Sequence, residues 1–327
     1  MDPFPIVDKR LIRTWLFLSC AAYLFYAAAA SAATEELLPE KKGAAHAENT
    51  RPDNQTVLHL AWKQLFSGIE LGLTELPESA DNKNNAVFVV LRINPEHHGF
   101  TLGMASERGQ AFSLPGWSEQ ENLRAGINAG MYLPDKITNT GYMRNGTLIN
   151  NSNMGGRLGA FFVAGNRKSH LDPAGIIEKD CPEWQQRLND YTVVVQNYRL
   201  VSSAGELLWP EGGAMHSIAV VANDSAGRIL FILCQEPLSV ERFAWYLKAF
   251  ALNCKTVMYV EGGGQAGLFI RMDANDTVFF HQQHFPGATA QPVPGGMVYV
   301  WKGQQSLLKT PGSPEALLPN IIGVTRE

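Results

Sequence analysis

Short apolar runs, broken at regular intervals by turn residues, mark most of this chain and predict strands. Ala86 to Ile93 (AVFVVLRI) is β-branched and apolar. Tyr191 to Val195 follows a polar stretch. Ser217 to Ala222, Ile229 to Leu233 and Thr256 to Val260 are short, apolar and bounded by turn residues. Gly267 to Ile270, Val278 to His281 and Met297 to Trp301 complete the set. Asn223 to Gly227 (NDSAG) between two of these runs has the composition of a hairpin connection. One helix is clear. Ser239 can cap it, and Glu241 sits in the first turn, where the helix dipole favours an anion. Val240, Phe243, Ala244, Leu247, Phe250 and Ala251 then recur at helical spacing on one face. Strands outnumber helices, and hairpins combine with at least one crossover. The expected class is therefore α+β: a single domain with a mixed, largely antiparallel β-sheet and packed helices.

The N-terminus has a different pattern. Lys9, Arg10 and Arg13 precede an uncharged stretch from Trp15 to Ala33. Ala30-Ser31-Ala32 supplies small residues at the positions a signal peptidase reads, and Glu35 and Glu36 follow. Residues 1–33 thus have the composition of a secretory signal peptide. The stretch is long enough that an uncleaved membrane anchor, with its positive flank inside, is the alternative. Residues 34–54 are polar and mixed in charge, as in a linker, and residues 55–327 form the folded domain. The expected location is outside the cytoplasm, periplasmic or extracellular, or membrane-anchored and facing outward.

Composition narrows the partners. The chain has 327 residues, 45% apolar and 18% charged, with a formal net charge of −4. That gives no basic footprint for nucleic acid, and the membrane enters only through the N-terminal segment if it stays uncleaved. The four cysteines (Cys20, Cys181, Cys234 and Cys254) show no CxxC or Cys/His spacing for zinc. Cys234 and Cys254 read as buried small side chains, with a bridge between them as the alternative. No metal or other cofactor is expected.

Four stretches carry candidate chemistry. Ile127 to Tyr132 (INAGMY), followed by Gly141-Tyr142 and Asn145-Gly146, either lets backbone approach a ligand or is an ordinary strand end and turn. Val195 to Val201 (VQNYRLV) interrupts an apolar strand with Gln196, Tyr198 and Arg199, either an exposed bulge or the lining of a sugar or phosphate pocket. His216-Ser217 follows a Gly pair and opens a strand. Tyr259 to Gln265 (YVEGGGQ) is the sharpest signal: a carboxylate at a strand end followed by three glycines, whose peptide N–H groups can face an anion. No Gly-Lys-Ser/Thr follows, which excludes a P-loop, and no helix pattern follows, which excludes a dinucleotide fingerprint.

In order and spacing these blocks resemble the phosphodiester glycosidase family, in its secreted bacterial branch. Asn128 to Tyr132 is similar to the family's Asn-(Ala/Gly)-Gly-Met-(Tyr/Phe) block, and Gly141-Tyr142 with Asn145-Gly146 to the element after it. Gly159-Ala160-Phe161-Phe162, Gln196, His216-Ser217 and Glu261-Gly262-Gly263-Gly264 follow in the family's order, over roughly Val87 to Ile270. There are departures. Glu261 stands where the family has Asp, Gln265 where it has Ser, His216 where it has Arg, and Gln196-Asn197-Tyr198-Arg199 where it has Gln-Ser-Gly-Pro.

The resemblance implies hydrolysis of the bond between a sugar's anomeric carbon and a phosphodiester, with a glycan or sugar phosphate as substrate. It implies Glu261 as the carboxylate at the anomeric centre and His216 facing the phosphate, with Glu236 the best second carboxylate if one is needed. Asn128 and Gln196 would hold sugar hydroxyls. Arg199 and the peptide groups of Gly262, Gly263 and Gly264 would hold phosphate. Tyr132, Tyr142, Ser217 and Gln265 complete the substrate-binding set. The departures leave a second reading open: a non-catalytic carbohydrate-binding or surface assembly protein on the same scaffold.

Overall fold

A computed structural model describes residues 58–75, 87–210, 214–276, 282–303 and 317–326. The expected signal or anchor, the linker, the Val278 to His281 strand and the Gly pair before His216 lie outside them. Strands dominate. The larger sheet is built from eleven: β1 (Ala61–Phe66), β2 (Ile69–Glu75), β3 (Val87–Ile93), β6 (Met143–Asn145), β7 (Leu148–Asn151), β8 (Ala160–Asn166), β9 (Ala174–Glu178), β10 (Tyr191–Val201), β11 (His216–Asp224), β12 (Ile229–Leu238) and β13 (Cys254–Gly262). Its main path runs β1-β2-β3-β12-β11-β13-β10-β6-β7, with β8 and β9 branching from β10. The smaller sheet has six strands in the order β15-β16-β14-β5-β17-β4. These are β4 (Phe100–Met104), β5 (Leu123–Asn128), β14 (Gly267–Asp273), β15 (Thr289–Val293), β16 (Gly296–Lys302) and β17 (Asn320–Thr325).

The α+β expectation is overturned. Four α-helices are present among the described residues: α1 (Ala105–Arg108), α2 (Leu114–Gln120), α3 (Trp184–Leu188) and α4 (Val240–Ala249). Only α4 reaches ten residues. Every strand ladder among the described residues is antiparallel, so the fold is mostly β with two antiparallel sheets rather than a mixed sheet with packed helices. The crossover that motivated the expectation exists, because α4 links β12 to β13. But β11 lies between those strands and pairs antiparallel with both, so the crossover creates no parallel ladder.

The main core fills the space between the sheets. Val89, Leu91, Val221, Phe231, Leu233 and Met258 of the larger sheet meet Ile127, Leu268, Ile270, Trp301 and Ile322 of the smaller one. The opposite face of the larger sheet is covered by α4, where Phe88 packs on Phe243, Tyr246 and Phe250 with ring centroids 5.7, 5.9 and 4.9 Å apart. β3 is therefore buried on both faces over most of its length, which is why Val87–Leu91 is continuously apolar. On the far side of the smaller sheet α2 buries Trp117, whose indole N–H donates to the Leu318 carbonyl at 2.7 Å. A side chain at Gly103 would collide with that indole.

The hairpin between β11 and β12 forms where expected. Asp224 Oδ1 accepts the N–H groups of Ala226 and Arg228, both at 2.9 Å, and Gly227 takes the left-handed conformation at φ 80°. Cys181, Cys234 and Cys254 are free thiols, so the alternative bridge is not made. No helix among the described residues is long and apolar enough to cross a membrane.

Ser239 caps α4 by accepting the Arg242 N–H at 3.2 Å. Ser239→Ala is expected to lower unfolding free energy by about 1 kcal/mol, and Phe88→Ala by about 3–5 kcal/mol, in urea titrations.

Candidate active site

The carboxyl end of β13 gathers the candidate chemistry. β13 pairs Tyr259 with Val220 and Glu261 with Ala219 of β11, so Val260 is an extra residue opposite that pair. Such a bulge twists a strand and re-aims the side chains beside it. Glu261 is 8% exposed, and its Oε1 accepts the N–H of Gly262 at 2.9 Å. Burial pushes its carboxyl up to about 7, against the opposing pull of that hydrogen bond. After Gly262 the chain makes a single 3-10 turn, Gly263–Gln265, with Gly263 left-handed at φ 63°. One of the peptide groups offered to an anion, that of Gly262, is thus taken by the neighbouring carboxylate.

Two further residues converge on Gly262. His216, half-buried at the start of β11, has Nδ1 2.8 Å from the Ala214 carbonyl oxygen and Nε2 3.3 Å from the Tyr259 hydroxyl. A Cβ at Gly262 would run into both the tyrosine hydroxyl and the imidazole. The residue must be glycine for that pair to close over the strand. Ser217 is fully buried and donates to the Gln235 carbonyl at 2.6 Å. It packs with Gly263 against Gly303 at the end of β16, where any side chain would clash. Glu236 is 7% exposed on β12, on the far side of β11 from β13.

Carboxamides hold the loops around this site. Asn128 donates to the Gln265 carbonyl at 2.8 Å and accepts the Gly267 N–H at 2.7 Å, tying the end of β5 to the exit of the glycine turn. Gln196 is fully buried and spends its amide on backbone: Oε1 accepts from Tyr142 and Gly155, and Nε2 donates to Gly155 and Leu158. Asn197 donates to the Ala129 carbonyl at 2.6 Å. Asn197 and Asn139 both press on Gly130, leaving no room there for a side chain. Sequence reasoning quoted Tyr259 and Asn197 within candidate stretches without giving them a role, and passed over Asn139 and Gly303. The available signal was a tyrosine two places before Glu261 and an asparagine directly after Gln196.

Not every expected residue joins this cluster. The Tyr132 hydroxyl is held un-ionised by burial and then by the charge of Glu261, so it lies within the field of that carboxylate. The Tyr142 ring instead packs with the cluster of Phe161, Val163 and Val194. The Arg199 guanidinium grips Asp180 through two hydrogen bonds of 2.6 and 2.7 Å and meets Glu178 at 3.0 Å. Its charge is already balanced by two carboxylates. Gln265 Oε1 is buried with no hydrogen-bond partner among the described residues.

A buried carboxylate at a strand end, a glycine turn and a histidine–tyrosine pair thus meet at the end of β13. Residues 121–325 match the family model described as Phosphodiester glycosidase, and the chain belongs to that family. No curated protein matches. Among solved structures the chain is similar to the catalytic domain of zebrafish N-acetylglucosamine-1-phosphodiester alpha-N-acetylglucosaminidase, described as auto-inhibited by its pro-peptide. The TM-score is 0.54 at 10% identity, over 84% of this chain and 87% of that one. It is also similar to a hypothetical protein from Synechocystis, with a TM-score of 0.50 at 12% identity over 82% of this chain and 64% of that one. At these identities the likeness speaks for the fold alone.

Glu261 makes stability depend on pH. Its folded pKa, near 7, exceeds the ordinary 4.5. The native state therefore binds the proton more tightly than the unfolded chain. The associated stability is fully present below about pH 4.5 and is lost as pH rises through about 7. Glu261→Gln removes the penalty. It should match wild type near pH 4.5 and exceed it by about 3 kcal/mol at pH 8 in urea unfolding. Equal stability at pH 8 would mean that the carboxylate is not desolvated.

Proposed function

We propose that this protein is an exported hydrolase that cleaves the glycosidic bond of a sugar-1-phosphodiester in a cell-envelope or extracellular glycan. The observation that carries this reading is Glu261, a carboxyl buried at the bulged end of β13 with its pKa raised to about 7. A group titrating near neutrality is matched to taking a proton from water. The leaving group is a phosphate monoester, which departs without strong acid assistance. The remaining demands are to stabilise an oxocarbenium-like centre, hold the phosphate and position water.

In this reading Glu261 faces the anomeric carbon and activates water. His216 faces the phosphate, with the peptide groups of Gly263 and Gly264 beside it. Tyr132 and Gln265 contact the sugar, and Glu236 is the second carboxylate. Asn128 and Gln196 act by holding the loops, because their amides are committed to backbone. Residues 1–33 direct export, and N-terminal sequencing of protein recovered from cell fractions tests that part.

The commitment of Arg199 to Asp180 and Glu178 favours one alternative, a module that binds carbohydrate without cleaving it. Release of phosphate monoester from a panel of sugar-1-phosphodiesters separates the two. Wild type is expected to turn over at least one member, and Glu261→Gln to lose at least a hundredfold in kcat while staying folded. A folded, monodisperse wild-type protein that binds glycan and releases nothing would establish the binding module instead.

A further inference from the structure

Tyr259 projects from β13 on the face that carries α4, with Trp209 against its ring at a centroid distance of 5.0 Å and His216 edge-on at 6.2 Å. Its hydroxyl rests against Gly262 and meets His216 Nε2 at 3.3 Å. The other imidazole nitrogen is fixed. The Ala214 carbonyl, 2.8 Å from Nδ1, can only accept, so Nδ1 carries a proton. In the neutral ring Nε2 must then accept, and the Tyr259 hydroxyl proton points at the imidazole. Once the ring gains its second proton, Nε2–H becomes the donor. The phenol oxygen must accept, and its own proton turns away from the ring. The direction of the Tyr259 hydroxyl is thus set by the charge on His216.

We propose that Tyr259 and His216 form one phosphate-binding unit, in which the protonated imidazole turns the Tyr259 hydroxyl towards a phosphate oxygen of the substrate. This rests on the glycosidase reading and deepens it, by naming the group that receives the phosphate and the charge state that does so. Three features support the assignment. The pair meets at Gly262, the residue next to Glu261, and the Glu261 charge acts on the Tyr259 hydroxyl. Burial, and then the Glu261 charge, hold the Tyr259 hydroxyl protonated, so it serves as a donor throughout. The arginine expected to take the phosphate, Arg199, is already bound by two carboxylates. An imidazolium hydrogen-bonded to a phenol supplies both a positive charge and a charge-assisted donor, the combination that anion binding requires. No bond is made or broken in this step. A proton already on the phenol is redirected, and the imidazolium keeps its own.

The test uses the whole protein with inorganic phosphate as the probe, so it does not depend on turnover. The His216 imidazole 15N and 1H resonances are followed in wild type and Tyr259→Phe as phosphate is added, and phosphate affinity is measured by calorimetry in these two and in His216→Gln. Saturable shifts of His216 are expected in wild type, with at least tenfold weaker phosphate binding in both variants at melting temperatures that show them folded. Where a sugar-1-phosphodiester is turned over, Tyr259→Phe is expected to raise KM or lower kcat tenfold or more. Phosphate affinity unchanged in Tyr259→Phe overturns the proposal, even if His216→Gln weakens binding. So does the absence of any His216 shift with phosphate. If Tyr259→Phe does not fold, Gly262→Ala takes its place, because the added methyl must part the pair. Tyr259-dependent phosphate binding without turnover of any phosphodiester would leave the pair standing and overturn only the hydrolase reading.

Discussion

The double pairing of β11 is the constraint on which the rest of the structure depends. One edge of this strand carries β12 and the other carries β13, so three segments distant in sequence end side by side. His216 and Ser217 come from its first residues, Glu236 from the end of β12, and Glu261 with Gly262 from the end of β13. The register is not free to slide. A shift by one residue would turn Val220 and Ala222 from the α4 side into the inter-sheet core and expel Ala219 and Val221 from it. Core packing on both faces thus fixes where the polar ends fall. The ladder to β13 yields twice, between Asn223 and Asp224 and again at Val260, and the second irregularity lies beside Glu261.

Beyond that ladder the site walls are loops, and loops carry backbone groups that no strand partner satisfies. Buried amide side chains take over the task. Asn128 bridges β5 to the glycine turn, Gln196 holds both 142 and 155, and Asn197 reaches the carbonyl of 129. Each makes one or more hydrogen bonds that a strand would otherwise supply, which is why these positions tolerate burial of a polar group. The glycines beside them follow from the same geometry. Gly130 and Gly141 are places where carboxamide or carbonyl oxygens come too close for any Cβ.

The sequence pattern exposed part of this architecture. The strands at the centre of the larger sheet were legible because they are buried on both faces and read as apolar runs, most plainly Val87–Leu91 of β3 and Ile229–Cys234 of β12. The capped amphipathic α4 was legible for the same reason, and its prominence led to an overestimate of helix. β10 looked finished at Val195, yet it continues to Val201, because Gln196 and Asn197 satisfy their amides internally and do not interrupt the ladder. β17 completes the smaller sheet from the far end of the chain, a long-range pairing that no local pattern announces. In the site, Glu261 and its glycines stood out because a carboxylate and three glycines are out of place in an apolar strand. Tyr259 did not, since a tyrosine suits a strand whatever it touches. The commitment of Arg199 to Asp180 was likewise hidden, because those residues lie nineteen positions apart.

Gly262 brings these strands of reasoning together. Its N–H steadies the Glu261 carboxylate, and its bare Cα lets Tyr259 and His216 close on each other. Desolvation raises the carboxyl to about 7. Folding therefore holds that group in a state that opposes stability at neutral pH, as happens where a site is kept for chemistry rather than for packing. On the other side of the same residue, the imidazole is pinned at both nitrogens and loses rotational freedom before any ligand arrives. In the proposed reading, a phosphate bound by the pair would meet donors already oriented, and the Glu261 carboxylate would take the proton from water. The carboxylate and the imidazole–phenol pair both depend on this one residue. A change in the backbone at Gly262 must therefore disturb both together, and this adjacency accounts for the glycine as well as for the residues on either side of it.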